Sequence, residues 1–344
     1  MNNSTIVDKK IRINFFQRRP HKGFSFSFEY IFDDLRNRLA DKIDANIFVS
    51  KYYNSGYLSK ILNIIEAFTR QNKDVNHITG EVHFLNLMMQ KKSVLLTIHD
   101  CGMISRKKGL EKAIVKWLYI TAPVKKSRII TTVSEFTKKE IINYTNCDPG
   151  KIHVIPVAVN PIYQPSPKVF SKNKPVILHI GTSYNKNLMR LIEAVQGINC
   201  QLSIIGILTG EQREALLKYR VEFINEFNLS NEQLKEKYEE CDILSFVSTF
   251  EGFGMPIIEA NTVERVVITS NISSMPEIAN NAAYFVDPHK VNEIRTGITR
   301  IINDDLLRDE LINNGKINRR RFDGTTIAGQ YFTLYSQIYN DQYR

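Results

Sequence analysis

The stretch from Cys241 to Ala260, CDILSFVSTFEGFGMPIIEA, holds the residues best suited to chemistry. Its apolar half, Ile243–Val247, predicts a buried strand. A turn, Glu251-Gly252-Phe253-Gly254, follows, and Pro256 sits near the first position of a helix, where its missing N–H costs nothing. The glycines let backbone approach a ligand closely. Free N–H groups and the dipole at a helix start favour an anion such as a diphosphate. Glu251 stands before that helix and Glu259 inside it, so both carboxylates can accept from hydroxyls in one pocket. The combination suits a polyhydroxylated ligand that carries phosphate, a nucleotide sugar among them. A plain helix start with solvent-facing glutamates fits the same residues equally well.

Positioning such a turn requires strands and helices in alternation, and both halves of the chain show them. In the first half, Ile11–Phe16, Ile47–Val49, Ser93–Ile98, Arg128–Val133 and Ile152–Val159 predict strands. Phe28–Leu39, Leu58–Thr69, Lys112–Ile120 and Glu135–Tyr144 predict helices between them, the last opened by a capping box of Thr132 with Glu135. Asn160–Lys174, with three prolines and no periodicity, predicts an interdomain linker. The alternation then restarts. Strands are predicted at Val176–Ile180, Gln201–Gly206, Ile243–Val247 and Val266–Thr269. Helices are predicted at Leu188–Val195, Gly210–Lys218, Asn231–Glu239 (capped by Ser230 with Gln233), Pro256–Val263, Val291–Asn303, Asp305–Asn314 and Thr326–Tyr339. Apolar strands without alternation argue for parallel sheets covered on both faces. The expected fold is α/β, with two Rossmann-like domains and a cleft between them: residues 1–165, residues 166–325, and a C-terminal helix over 326–344 packing back towards the first.

Charge divides along the same line. Of the formal +10, residues 1–165 contribute 26 Lys and Arg against 14 Asp and Glu, and the remainder 20 against 22. A basic first half points to an acidic or membrane-surface partner. Several classes lose weight. Neither GxGxxG nor a Walker A motif is present, which disfavours NAD enzymes and P-loop NTPases. The cysteines (Cys101, Cys147, Cys200, Cys241) are scattered core thiols, without CxxC or a disulfide framework. No HExxH and no DxD-type pair suggests a metal. Met1–Lys10 lacks a signal-peptide core, and no run is long and apolar enough to span a bilayer, so a cytoplasmic protein is expected.

Glu251-(seven residues)-Glu259 with Gly-Phe-Gly-Met-Pro between resembles the E-x7-E signature of family 4 retaining glycosyltransferases, which have the GT-B fold. Four further segments are similar to the family in the same order: LTIHD at Leu96–Asp100, TTVSEFTK at Thr131–Lys138, ILHIGTSYNKNLMRLIEA at Ile177–Ala194, and Val267–Pro288. The resemblance implies two Rossmann-like domains whose parallel sheets face across a deep interdomain cleft, with the acceptor bound by the first and a UDP- or GDP-linked sugar by the second. It implies that Glu259 holds the donor ribose and Glu251 lies near the transferred sugar. The backbone of Gly252, Phe253, Gly254 and Met255 contacts sugar and diphosphate, Lys186 binds the diphosphate, and Gly181, Thr182 and Asn187 complete that loop. His99 is the implied active-site histidine, and Asn225–Asn228 the implied nucleobase loop. Catalysis thus falls to His99, Lys186 and Glu251, with no cofactor and no metal.

Departures exist. Where the family places an Arg near the lysine, this chain has Thr182 and Asn185, which leaves Arg190 as a candidate second cation. Val157-Ala158 replaces an Asn-Gly, and Glu264 and Val266 replace a Gly and Pro. Gly23 and His83 are candidate acceptor contacts, with loop packing the alternative. Ser134 and Glu135 read as structural, Glu277 equally as helix cap or ligand contact, and Trp117 as core. The expected reaction is metal-independent, retaining sugar transfer to a saccharide or lipid-linked acceptor in polysaccharide or glycolipid biosynthesis. Peripheral contact with the inner membrane face would use the basic domain. Competing readings are a nucleic-acid-binding or nucleobase-glycosylating GT-B protein, a non-catalytic subunit, and a nucleotide-sugar epimerase on the same fold.

Overall fold

A computed structural model describes residues 10–19, 27–53, 56–105 and 107–343. The chain forms two units, Met1–Pro156 with Gly324–Arg344, and Val157–Asp323. The first holds a six-stranded parallel sheet of β1 (Ile11–Gln17), β2 (Ile43–Val49), β3 (Val75–Ile78), β4 (Val94–Ile98), β5 (Ile129–Thr132) and β6 (Ile152–Val154), in the order β2-β1-β3-β4-β5-β6. The second holds β7 (Val176–Ile180), β8 (Gln201–Ile205), β9 (Glu222–Glu226), β10 (Ile243–Phe246), β11 (Val266–Ser270) and β12 (Tyr284–Val286), in the order β12-β11-β10-β7-β8-β9.

Central strands such as β4 (VLLTI) and β11 (VVITS) are buried at every residue. Each Leu, Ile or Val so covered contributes about 1.5–3 kcal/mol. In each sheet the strand order reverses at one place. That place lies between β1 and β3 in the first unit and between β7 and β10 in the second. Ligands in open α/β sheets bind beyond the carboxyl ends of strands at such a switch. The loops after β7 and β10 carry Gly181–Lys186 and Val247–Gly254.

Three strands have no counterpart among the sequence expectations. β3 (VNHI) lacks an apolar run because it buries Asn76 and His77 in mid-sheet. Asn76 donates to Asn72 O and Ser93 Oγ, both at 2.9 Å. His77 Nδ1 lies 2.8 Å from Tyr335 OH, and Nε2 lies 2.7 Å from Thr97 Oγ1. The segment Thr79–His83 lies between this added strand and β4. β9 is a half-exposed edge strand, and β12 is three residues long. β2 starts at Ile43, not Ile47; the exposed Asp44, Ala45 and Asn46 interrupt the apolar run between the two.

Further boundaries differ. Residues 157–165, expected in the first domain, belong to the second unit, and Asn160–Lys174 is no free linker. Tyr163 packs edge-on against Tyr238 at 5.3 Å, Lys168 pairs with Asp242 at 2.8 Å, and Arg265 donates to Ser166 O at 2.6 Å. Pro161, Pro165 and Pro167 thus mark an extended strap, since proline supplies no ladder N–H. The helix after β5 is capped by Ser134, whose Oγ accepts from Thr137 N at 3.2 Å. Thr132 is still in the strand, so the Thr132–Glu135 box does not form. The Ser230–Gln233 box is present.

The helix expected over Lys112–Ile120 is instead three pieces: Gly109–Lys116, a π-helical stretch Trp117–Thr121, and Ala122–Lys125. Pro123 is the cause, since it offers no N–H to the Tyr119 carbonyl and crowds it. Trp117, expected in the core, is 57% exposed, since it continues the outward side of a helix that buries no residue. The last helix, Gly324–Tyr343, packs in the first unit and buries Tyr331, Tyr335 and Ile338.

Candidate functional site

In the second unit, β7 ends at Ile180 and the chain turns through Gly181 at φ +91°, a conformation that L side chains rarely adopt. A Cβ there would also lie 2.9 Å from Lys186 Cγ, so the glycine lets the lysine fold back over the turn. Lys186 Nζ reaches 2.8 Å from Glu251 Oε1 and 4.8 Å from the centre of the Phe246 ring. Asn185 donates to Phe250 O at 3.1 Å, and Thr249 N donates to Asn185 O at 2.8 Å. The loops after β7 and β10 are thereby tied together.

The turn Glu251–Gly254 is fixed from a third side. Glu251 N donates to Ser273 Oγ at 3.1 Å, and that hydroxyl donates to Glu251 O at 2.6 Å. Ser274 Oγ lies 2.9 Å from Glu251 O and 2.6 Å from Phe253 O. Phe253 buries its ring edge-on against Phe322 at 5.8 Å, so it anchors the turn. Gly254 has φ +121° and caps the eight-residue helix Met255–Thr262, which has Pro256 in its first turn and no side-chain cap at its N-terminus. Pro256 has no N–H and Ile257 N already donates to Gly254 O at 3.0 Å, so this helix start offers an anion the Met255 N–H and the helix dipole, four residues after the Glu251 that pairs with Lys186.

Glu259 is buried within that helix, and Tyr238 OH donates to its Oε2 at 2.5 Å. Burial pushes its carboxyl up to about 7, against the opposing effects of the Tyr238 hydrogen bond and the Lys186 charge. Asn187, at φ 65°, donates to Val247 O (2.9 Å) and Pro288 O (2.7 Å), so its amide hydrogens clamp three loops. Arg190 points at Asn187 Oδ1, 2.8 Å away, and so braces that clamp. Thr182 Oγ1 donates to Ile207 O at 2.6 Å. Asn225 lies inside β9 and donates to Gly206 O at 2.7 Å, while Phe227, just beyond it, exposes its ring.

In the first unit, His99 follows β4 and is 9% exposed, with its ring edge-on to Phe32 at 5.9 Å. Burial, reinforced by His83 and Arg18, lowers its pKa to about 3, so it is a neutral imidazole at pH 7. His83 Nδ1 lies 2.7 Å from Tyr119 O, the same carbonyl that Pro123 leaves without a helical donor. A carbonyl only accepts, so Nδ1 carries the proton. Burial lowers the His83 pKa to about 4. Arg18 and Glu81 form an ion pair at 2.9 Å. Gly23 lies outside the described residues.

The sequence reading missed Tyr238, Ser273, Ser274 and Asn185 as partners of the site. A buried tyrosine twenty-one residues before Glu259 gives no local signal. Ser273-Ser274, in contrast, abut a motif already noted. Glu277 lies in the first turn of the short helix Met275–Ala279 after Ser274, whose hydroxyl serves the turn instead of capping that helix.

A family model described as Glycosyl transferases group 1 matches residues 164–318, and one described as Glycosyltransferase Family 4 matches residues 47–162. O-antigen chain mannosyltransferase B of Escherichia coli is 25% identical over 274 residues, covering 70% of each chain. The N,N'-diacetylbacillosaminyl-diphospho-undecaprenol alpha-1,3-N-acetylgalactosaminyltransferase of Campylobacter jejuni is 24% identical over 192 residues, and the match spans half of that protein's length. The crystal structure of Anabaena Alr3699/HepE in complex with UDP and glucose has a TM-score of 0.75 at 17% identity, covering 95% of this chain and 99% of that one.

Proposed function

The chain belongs to the glycosyl transferases group 1 family and is a family 4 glycosyltransferase of the GT-B fold; on that premise we propose that it moves a hexosyl group from a nucleotide sugar to a saccharide or lipid-linked acceptor. The observation that carries the reading is Lys186 paired with Glu251 beside the N-terminus of helix Met255–Thr262, with Glu259 buried in that helix. The relatives' names add the biosynthetic setting, O-antigen chain and undecaprenol-linked sugar. The nucleic-acid, non-catalytic and epimerase readings gain no support from them.

The donor's anomeric C–O bond to the diphosphate breaks, and a new C–O bond forms to an acceptor hydroxyl. Negative charge grows on the departing diphosphate. A fixed ammonium and helix N–H groups directed there stabilise the transition state more than the ground state. We read the transfer as retaining, with attack from the face the diphosphate leaves and the acceptor proton passing to a diphosphate oxygen. Lys186 and the helix start supply the charge stabilisation a metal would otherwise provide, which supports a metal-independent reaction. Glu259 accepts from ribose hydroxyls, and the exposed Phe227 ring offers a face for a base. Neutral His99 can donate or accept a single hydrogen bond near the sugar without adding charge.

The basic first half fits an anionic acceptor or a membrane surface, and no helix among the described residues is long and apolar enough to cross a membrane. Thermal shift with UDP- and GDP-sugars tests the donor site, since a ligand that binds the folded state raises apparent stability. Glu259→Ala should abolish the shift, and Lys186→Ala should lower turnover by about 100-fold. Wild-type turnover in both variants would refute the site.

A further inference from the structure

Helix Tyr57–Arg70 is apolar on two faces. Asn63, Ile64 and Ala67 turn inward. Leu58, Ile61, Leu62, Ile65 and Phe68 form a second row, at spacings of three and four residues, exposed to solvent. An apolar row of this length ordinarily turns towards a core rather than to solvent. Helix Gly109–Lys116 buries no residue at all, and with its π-helical continuation it turns Leu110 (78% exposed), Ile114 and Trp117 outward in one row. The two rows lie on the same side of the first unit's sheet. Ile64 and Ala67 of the one helix share a buried cluster with Ile120 and Val124, which follow the other. The turn His83–Met88, with Met88 exposed, packs against the first helix and against the π-helical stretch that continues the second.

Such an apolar area on a water-soluble surface marks an interaction site. Charge identifies the occupant. Residues 107–126 carry six lysines and a single acidic residue, Glu111, which is already paired with Lys107 at 2.6 Å. Lys60 flanks the first row, with its ammonium 5.8 Å from the Tyr57 ring. A second copy of this chain would bring these lysines against themselves. An anionic bilayer accepts both features, acyl chains for the apolar rows and phosphates for the lysines. We propose that this face inserts into an anionic leaflet, with the Leu58–Phe68 and Leu110–Trp117 rows among the acyl chains and Trp117 at headgroup level. The inference rests on the membrane contact proposed above and names where that contact is made.

Trp117 is the single tryptophan of the chain, so selectively excited tryptophan emission reports on this face alone. The full chain is mixed with vesicles of phosphatidylcholine with phosphatidylglycerol, and with phosphatidylcholine alone. On the anionic vesicles we expect a blue shift, quenching by brominated acyl chains, and co-sedimentation at physiological salt. Ile61→Ser with Ile65→Ser, or Leu110→Ser with Ile114→Ser, should lower the bound fraction about ten-fold while the melting temperature stays that of wild type. Co-sedimentation without a change in emission, and insensitive to those substitutions, would overturn insertion but leave the electrostatic contact standing. No co-sedimentation overturns both. A concentration-dependent blue shift without lipid, removed by the same substitutions, assigns the face to a second copy and overturns the proposal.

Discussion

Glu251 is the counter-ion of Lys186, 2.8 Å away and, like it, mostly covered. A diphosphate arriving at the helix start must share that lysine with a carboxylate of its own sign. Glu251→Gln removes the competitor and leaves the hydrogen-bonding shape. Nucleoside diphosphate should then bind more tightly by about 1 kcal/mol, roughly five-fold. Sugar transfer should slow if the same carboxylate lies near the transferred sugar, as the resemblance implies. Calorimetric binding of UDP or GDP against turnover separates the two effects. Glu259 gives a pH-dependent prediction. Burial raises its carboxyl to about 7, and the ionised form is the stronger acceptor for the ribose hydroxyls proposed to bind there, so donor affinity should rise as pH passes through 7. The Tyr238 hydroxyl holds that value down. Tyr238→Phe should move the midpoint upward by about one pH unit, equivalent to about 1.4 kcal/mol. A purely structural tyrosine would lower stability and leave the midpoint in place.

Among the elements, the break in the helix over Gly109–Lys125 links a local cause to a distant partner. Pro123 removes a donor, the helix widens at Trp117–Thr121, and His83 donates to the Tyr119 carbonyl from another segment. His83→Ala leaves a buried carbonyl short of a donor and should cost about 1–3 kcal/mol in urea unfolding. Pro123→Ala restores an N–H at that position. The double variant should therefore lose less than the sum of the two singles, since the residues share one acceptor. If His83→Ala also raises acceptor KM without further loss of stability, the histidine contacts acceptor as well. Additive losses would mean that His83 and Pro123 are not coupled through Tyr119.

For the whole molecule, the four buried histidines among the described residues bear on the acid limit. His77, His83 and His99 lie in the first unit and His179 in the second. Burial lowers every one, His83 and His179 to about 4 and His99 to about 3. Between those values and 6.5 the unfolded chain binds protons that the folded chain does not. Their contribution is complete above pH 6.5 and is lost as pH falls towards 4. Glu140 in the first unit and Glu259 in the second, both raised to about 7, act in the opposite sense and retain protons in the folded state over the same range. Three buried histidines, with His153 lowered in the same sense, against one raised carboxyl leave the first unit the more acid-sensitive. Calorimetry at pH 5 should split one transition into two, with the first unit melting earlier. A single transition at both pH 5 and pH 7.5 would contradict this.

The amino-acid sequence by itself determined what depends on neighbours along the chain: the β10–turn–helix unit around Glu251, the glycine turn before Lys186, the Ser230 cap, and the alternation that makes two parallel sheets. These rest on backbone conformation, capping and hydrophobic runs, all legible within a few residues. Tertiary structure decided the rest. It set Glu251 on Lys186 across 65 residues, placed Tyr238 against Glu259, held His99 and His83 neutral by burying them, and returned the last helix to His77 through Tyr335. It also turned Trp117 out to solvent and wrapped Asn160–Lys174 onto the second unit. Each of these depends on desolvation or on a partner far away in sequence. Residue type and spacing carry no record of either, because the free energy of a buried polar group is set by what folding brings beside it.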